Sequence, residues 1–207
     1  QWRKALPQYR ITTVELSANQ ADTATDQNLS FFISSAFLYW SAHLTDGASA
    51  VAVHASPDAP TSALSSAGVI AVRQNSPLRT LNDLKGAQLS LAVPSDHFNA
   101  EFLAVKGTLA ASGIEPEDVF KAIRPVGWRN PGVLSALASG AVDAGILKRC
   151  ELEKALANGT VAPDTLRVLP LSGTENERCR CSTERYPDIS LQPPPLSSPI
   201  SLPSPTP

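Results

Sequence analysis

The chain of 207 residues contains no methionine, three cysteines, three histidines and only 6% aromatic residues. Cys150 and the Cys179-x-Cys181 pair have no nearby His or second Cys pair to complete the four ligands of a structural zinc site, so no metal is expected. Charge is scarce and balanced. Seventeen Lys and Arg stand against 19 Asp and Glu, and a formal net charge of -2 excludes both a basic nucleic-acid binder and an acidic disordered chain. No apolar run approaches the roughly 18 residues that a membrane span requires, and Gln1-Trp2-Arg3-Lys4-Ala5 opens without a signal-peptide core. The missing initiator Met suggests a mature or fragmentary product and is compatible with a removed export signal. Also absent are G-x-S-x-G, H-E-x-x-H, the P-loop and G-x-G-x-x-G, and the contiguous Ser95-Asp96-His97 does not by itself give triad geometry. These absences count against catalysis, and neither a catalytic residue nor a cofactor is expected.

What is present is an ordinary globular composition, 43% hydrophobic, in a length that allows one or two domains. Of 18 prolines, seven fall in residues 193–207, so the rest of the chain has an ordinary share. Short β-rich runs alternate with helical stretches. Strands are expected at Arg10–Ser17, Leu29–Ser34, Ala50–His54, Val69–Arg73, Gln88–Val93, near Ala122–Val126, and at Val142–Leu147 and Leu166–Leu171. Between them helices are expected at Ala18–Asn28, Ala36–Leu44, around Leu81–Lys85, and at Phe98–Ala111, Gly132–Ala138 and Glu151–Ala157, several ending at glycine. Such alternation predicts an α/β fold of parallel sheets flanked by helices. From Gln192 onward the Pro/Ser-rich segment has neither periodicity nor charge, which reads as an extended linker or as the product of a shifted reading frame.

Two strand-to-helix junctions are candidate sites: Ser34-Ser35-Ala36 and Ser95-Asp96-His97-Phe98-Asn99. Free N–H groups and the helix dipole favour an anion at such a junction, and ligands of open α/β sheets prefer the carboxyl ends of strands. Plain helix capping explains the same residues, because Ser and Asp are favoured caps. Tyr39 and Trp40 lie one turn into the helix after the first junction, where Tyr39 could face a cleft but core packing is the usual role. Trp128 and Arg129 precede a third junction at the same expected edge, Trp128 as a candidate wall and Arg129 as a candidate bidentate anion partner. His97 can donate to an oxyanion or add charge when protonated, a context that His43 and His54 lack.

The runs Gly68-Val-Ile-Ala-Val-Arg73, Leu81-Asn-Asp-Leu-Lys-Gly86, Gly113-Ile-Glu-Pro116, Val133-Leu-Ser-Ala-Leu-Ala-Ser-Gly140 and Val142-Asp-Ala-Gly145 resemble the phosphonate-type periplasmic solute-binding proteins, over about Trp2 to Asp188. A narrower pattern, Leu147-Lys-Arg-Cys150-Glu-Leu-Glu153 with Cys181-Ser-Thr183 and Tyr186-Pro187-Asp188, resembles the sensor domains of tetrathionate-sensor-like histidine kinases.

The resemblance implies a type II periplasmic-binding-protein fold whose two lobes, with mixed or parallel sheets, close over a small anion. Ser34, Ser35 and Ala36 would contribute from one lobe, and Ser95, Asp96, His97 and Asn99 from the other. Lobe one would hold residues 1–66 and lobe two residues 67–170. Residues 171–190 would return toward lobe one, ahead of a disordered tail at 191–207. The first lobe departs from the pattern: its first strand is absent, Ser34-Ser35-Ala36 replaces an Asn-Pro type turn, and the Pro/Ser tail replaces the strands and helices that should return after Asp188. The family pattern favours a Cys150–Cys181 disulfide with Cys179 left over or substituting as partner, and its reduction would couple redox state to ligand response.

The expected partners are a small anion such as phosphonate, phosphite, sulfonate or a sulfur oxyanion, together with a membrane-anchored kinase or a permease, outside the cytoplasm. Sensor input of a two-component histidine kinase is the leading function. A soluble receptor of an ABC transporter, or an enzyme like the thiamine-precursor synthases on the same fold, are the alternatives.

Overall fold

A computed structural model describes residues 2–14, 29–47, 49–55, 63–93, 100–126, 130–174 and 177–192. In chain order the elements are α1 (Trp2–Ala5), β1 (Phe32–Ser35), α2 (Ala36–Asp46), β2 (Ala52–Val53), β3 (Gly68–Arg73), a 3-10 turn (Leu81–Leu84), β4 (Leu89–Val93) and α3 (Ala100–Ala111). They continue with α4 (Pro116–Val119), β5 (Phe120–Pro125), α5 (Asn130–Ala138), β6 (Ala144–Lys148), α6 (Glu151–Ala157), β7 (Leu166–Val168) and β8 (Ile189–Gln192). Contacts group the described chain into two units, one with the residues up to Ala52 and from Ile189, the other Val53–Asp188.

In the larger unit the strand order is β5-β4-β6-β3-β7. The hydrophobic run of β3 occupies the interior, and its alternate side chains serve two cores. Ile70 and Val72 join Leu91, Val105, Leu109 and Ile146 on the face covered by α3. Val69 and Ala71 join Ala92, Val133, Leu137 and Leu147 on the face covered by α5 and α6. This two-sided burial is why the strands read as continuous apolar runs. Helix α3 stops where Gly113 adopts φ +69°, which lets the Ile114 N–H bond the Leu109 carbonyl at 2.9 Å and close the last turn.

The sheet is mixed rather than wholly parallel, because β3 runs antiparallel to both β6 and β7 while β4 is parallel to β5 and β6. Alternating elements do not by themselves fix strand direction. Strand β7 covers only Ala71–Arg73 of its neighbour. Beyond it, Ser182 and Thr183 finish the ladder with side chains. The Ile70 N–H donates to Ser182 Oγ at 2.8 Å and the Gly68 N–H to Thr183 Oγ1 at 2.9 Å. The Ser182 N–H returns a bond to the Gly68 carbonyl at 3.0 Å.

In the smaller unit β1 pairs antiparallel with β8, Ile33 opposite Leu191 and Ser35 opposite Ile189, in a sheet of order β1-β8-β2. A strand therefore does follow Asp188 where the sequence pattern indicated only a Pro/Ser segment; four residues of alternation, Ile189-Ser-Leu-Gln192, are too short a signal to stand out beside it. Arg10–Val14 forms no strand and is largely exposed. The helix expected at Ala18–Asn28 and the end of that first strand lie outside the described residues. No described helix is long and apolar enough to cross a membrane.

Candidate functional site

Because β4, β5 and β6 are parallel, their carboxyl ends share one edge of the sheet. Val93 pairs in register with Pro125, and the Val126 N–H donates to the Val93 carbonyl at 3.0 Å. The connections 94–99 and 127–129 thus depart from adjoining residues and lead into α3 and α5. Ser95, Asp96, His97, Asn99, Trp128 and Arg129 all belong to these connections and lie outside the described residues.

The start of α5 is held close to this edge. A Cβ added at Gly132 would run into the Val126 carbonyl, so only glycine permits the approach. Asn130 Oδ1 accepts the Lys148 N–H at 3.2 Å, tying the first residue of α5 to the last of β6. Lys148 Nζ in turn donates to both carboxylate oxygens of Asp188, each at 2.6 Å.

Two residues before Asp188, Tyr186 and Ser66 exchange a pair of backbone hydrogen bonds, each 2.9 Å. Ser66 Oγ and the Tyr186 hydroxyl are both buried and face one another. Burial first, then the charge of Glu101 in the first turn of α3, push the tyrosine hydroxyl well above its ordinary range, so it stays a proton donor. Gly68 lies against the same turn, where an added Cβ would meet the Glu101 carbonyl at 2.7 Å. The edge therefore gathers two buried hydroxyls, a lysine–aspartate pair and the starts of two helices, an arrangement able to bind and orient an oxyanion.

The first junction lies in the smaller unit. Ser34 and Ser35 end β1 and Ala36 opens α2, as the sequence indicated. Ser34 is buried and its hydroxyl donates to the Ser35 carbonyl at 3.3 Å, while Ser35 is exposed. Tyr39 is half-buried, with its ring 5.4 Å from that of Trp40 and 5.7 Å from that of His43, which makes an aromatic cluster along α2.

The disulfide is Cys150–Cys179, with a Cα separation of 4.8 Å, and Cys181 is a buried free thiol. This corrects the Cys150–Cys181 pairing implied by the family pattern. The Cys181 carbonyl accepts the Leu171 N–H, and its sulfur is turned toward Glu177, leaving Cys179 as the neighbour of Cys150. A cavity of about 360 Å³ beside it is lined by Leu171, Glu177, Cys181 and Arg185 and by none of the strand-edge residues named above.

Sequence reasoning singled out the connections but gave no ligand role to Asn130, Lys148, Ser66, Tyr186 or Asp188. A signal existed for three of them, since Lys148 and the Tyr186-Pro187-Asp188 run both carried part of the family pattern. Ser66 offers none without the pairing that sets it opposite Tyr186. Among the described residues no group of three or more His, Cys, Asp or Glu is arranged to hold a metal.

Residues 8–190 match the family model described as "ABC transporter, phosphonate, periplasmic substrate-binding protein". No curated protein sequence matches the chain. Among solved structures it is similar to PhnD1 of Prochlorococcus marinus in complex with methylphosphonate, with TM-score 0.58 and 20% identity over 85% of this chain and 60% of that one. The aliphatic sulphonate binding protein SsuA of Escherichia coli gives TM-score 0.53 and 20% identity over 93% and 57%. A binding-protein component of a phosphonate ABC transporter from Pseudomonas aeruginosa gives 0.59 and 13% over 88% and 56%. The chain thus spans about three fifths of the length of these relatives, and the likeness carries the type II periplasmic-binding-protein fold. With residues 8–190 matched by the family model, the chain belongs to the phosphonate periplasmic substrate-binding protein family.

Proposed function

We propose that this chain captures a small oxyanion of the phosphonate or sulfonate class, outside the cytoplasm, at the strand edge where β4, β5 and β6 end. The observation that carries this reading is the 3.0 Å bond from the Val126 N–H to the Val93 carbonyl, which makes neighbours of the two residues from which the helix-entering connections leave. On this reading Ser95, Asp96, His97, Asn99, Trp128 and Arg129 supply donors and a wall, while Ser66 and Tyr186 offer buried hydroxyls to the oxyanion. Ser34, Ser35, Ala36 and Tyr39 would contribute from lobe one, residues 1–66, against lobe two, residues 67–170. Binding that is tighter in a closed form would shift the open and closed populations, and that shift would be the output.

The output would go to a membrane permease of an ABC transporter, as the family description suggests, or to a membrane-anchored histidine kinase. The kinase reading rests on the sequence resemblance carried by Leu147–Glu153, Cys181–Thr183 and Tyr186–Asp188. A melting series with methylphosphonate, phosphite, an alkanesulfonate and tetrathionate tests the site. A raised midpoint with one of them is expected, and a folded protein indifferent to all four overturns the reading. Translation of the flanking DNA separates the two destinations: a membrane span followed by a kinase domain, or neighbouring permease and ATPase genes.

A further inference from the structure

The three cysteines fall in one buried cluster. Cys150, at the N-terminus of α6, is joined to Cys179, and Cys181 follows two residues later, fully buried. The Cys181 sulfur is 3.6 Å from the Cys179 carbonyl oxygen and 3.9 Å from Glu177 Oε2. The charged groups facing it are Arg149, Glu177 and Arg185. Arg149 has only 6% of its side chain exposed, its Nε and Nη1 have no hydrogen-bond partner, and its Nη2 stands 3.8 Å from Glu177 Oε2. Arg185 also bonds that same carboxylate oxygen. Two guanidinium groups thus share one carboxylate, and the one that is buried, Arg149, favours an adjacent anion.

We propose that Cys181 is an exchange thiol for the neighbouring disulfide, so that Cys150 alternates between Cys179 and Cys181. The Cys181 thiolate attacks Cys150 Sγ. As the Cys150–Cys181 bond forms, the Cys150–Cys179 bond breaks and its electron pair leaves on the Cys179 sulfur, which takes up a proton in place of the one Cys181 released. One disulfide and one thiol exist before and after, so no oxidant or reductant is consumed. Burial raises the Cys181 thiol above its ordinary range while Arg149 acts the other way, so the thiolate is formed sparingly and next to a cation. Because Cys181 exposes no surface, an external disulfide must wait for opening, whereas the internal one begins two residues along the chain. The exchange also has a mechanical consequence. Moving the tether by two residues, about 7 Å of extended chain, pulls on the segment whose Ser182 and Thr183 complete the ladder of β3.

The full chain is air-oxidised, incubated without reductant near pH 8.5 or near pH 4, quenched in acid, unfolded in guanidinium at mildly acidic pH with excess maleimide present, and digested with trypsin. Cleavage after Arg178 and Arg180 places Cys179 and Cys181 on separate peptides. Near pH 4 the label is expected on Cys181 alone. Near pH 8.5 about one chain in twenty or more is expected to carry it on Cys179, with a matching Cys150–Cys181 linked peptide. Cys181→Ser abolishes labelling of Cys179, and Cys179→Ser yields a Cys150–Cys181 bridge. The proposal is overturned if Cys179 stays unlabelled near pH 8.5 while urea-unfolded chain scrambles under the same conditions. It is equally overturned if oxidised Cys179→Ser retains two free thiols.

Discussion

Lys148 and Asp188 meet where β6 ends, with the lysine ammonium 2.6 Å from both oxygens of the carboxylate. Lys148 belongs to the sheet and Asp188 is the last residue before β8, so the pair fixes the departing segment to the strand edge. The two side chains are 37% and 21% exposed, which limits the contribution of the pair to about 1 kcal/mol. Lys148→Met and Asp188→Asn are each expected to lower the melting midpoint by about 2–4 °C. If the double variant fell by the sum of the two single effects, the pair would be energetically independent and this account of it wrong.

Gly132→Ala tests the close approach at the start of α5. The added methyl must displace the Val126 backbone, which cannot rotate away as a side chain can. A loss of about 1–3 kcal/mol is expected in chemical denaturation, as for other overpacked sites. Gly107→Ala, within α3 and with open space around it, is the control and should leave stability unchanged or slightly raised.

Ser182→Ala leaves the buried Ile70 N–H and the Leu169 carbonyl without the hydroxyl that serves both. The expected cost is about 1–3 kcal/mol, the desolvation penalty of an unmade bond. Ser112→Ala, whose hydroxyl bonds the Thr108 carbonyl at an exposed helix end, should cost far less when the two are unfolded side by side in urea.

Asp143 predicts a pH effect. The Ser90 hydroxyl and N–H donate to its carboxylate at 2.6 and 2.8 Å, with Arg73 nearby, and these hold it below the ordinary aspartate range. A depressed folded value means that the unfolded chain binds the proton first. Stability from this group is therefore complete above the ordinary aspartate value near pH 4 and is lost as the pH falls through the folded value. Asp143→Asn is expected to flatten the acid limb of the melting profile, and an unchanged limb would remove Asp143 from the account.

Cys150→Ser opens the loop between residues 150 and 179, a separation of 29 residues, and should cost about 2–4 kcal/mol. The same fall is expected on reduction of the unmodified chain, read as the difference in midpoint with and without a phosphine reductant.

Much of the larger unit was legible in the sequence because its signals are local. Glycine stops, as at Gly113, and apolar runs, as in β3, mark elements through backbone freedom and burial that neighbours along the chain already define. The connections at Ser95–Asn99 and Trp128–Arg129 were legible as junctions for the same reason. Strand β8 was not, since four residues gain strand character only by pairing with β1, more than 150 positions away. The antiparallel direction of β3 and the ladder completed by Ser182 and Thr183 depend on the same long-range closure.

The sequence by itself thus determined the α/β class, most element positions and the strand-to-helix junctions, which follow from periodicity, turn chemistry and capping. Only the tertiary structure decided which strand ends adjoin, that Lys148 meets Asp188, and that Cys150 bonds Cys179 instead of Cys181. Those are properties of distance between remote segments, set by how two hydrophobic faces of one sheet are covered at once, and no local pattern encodes them.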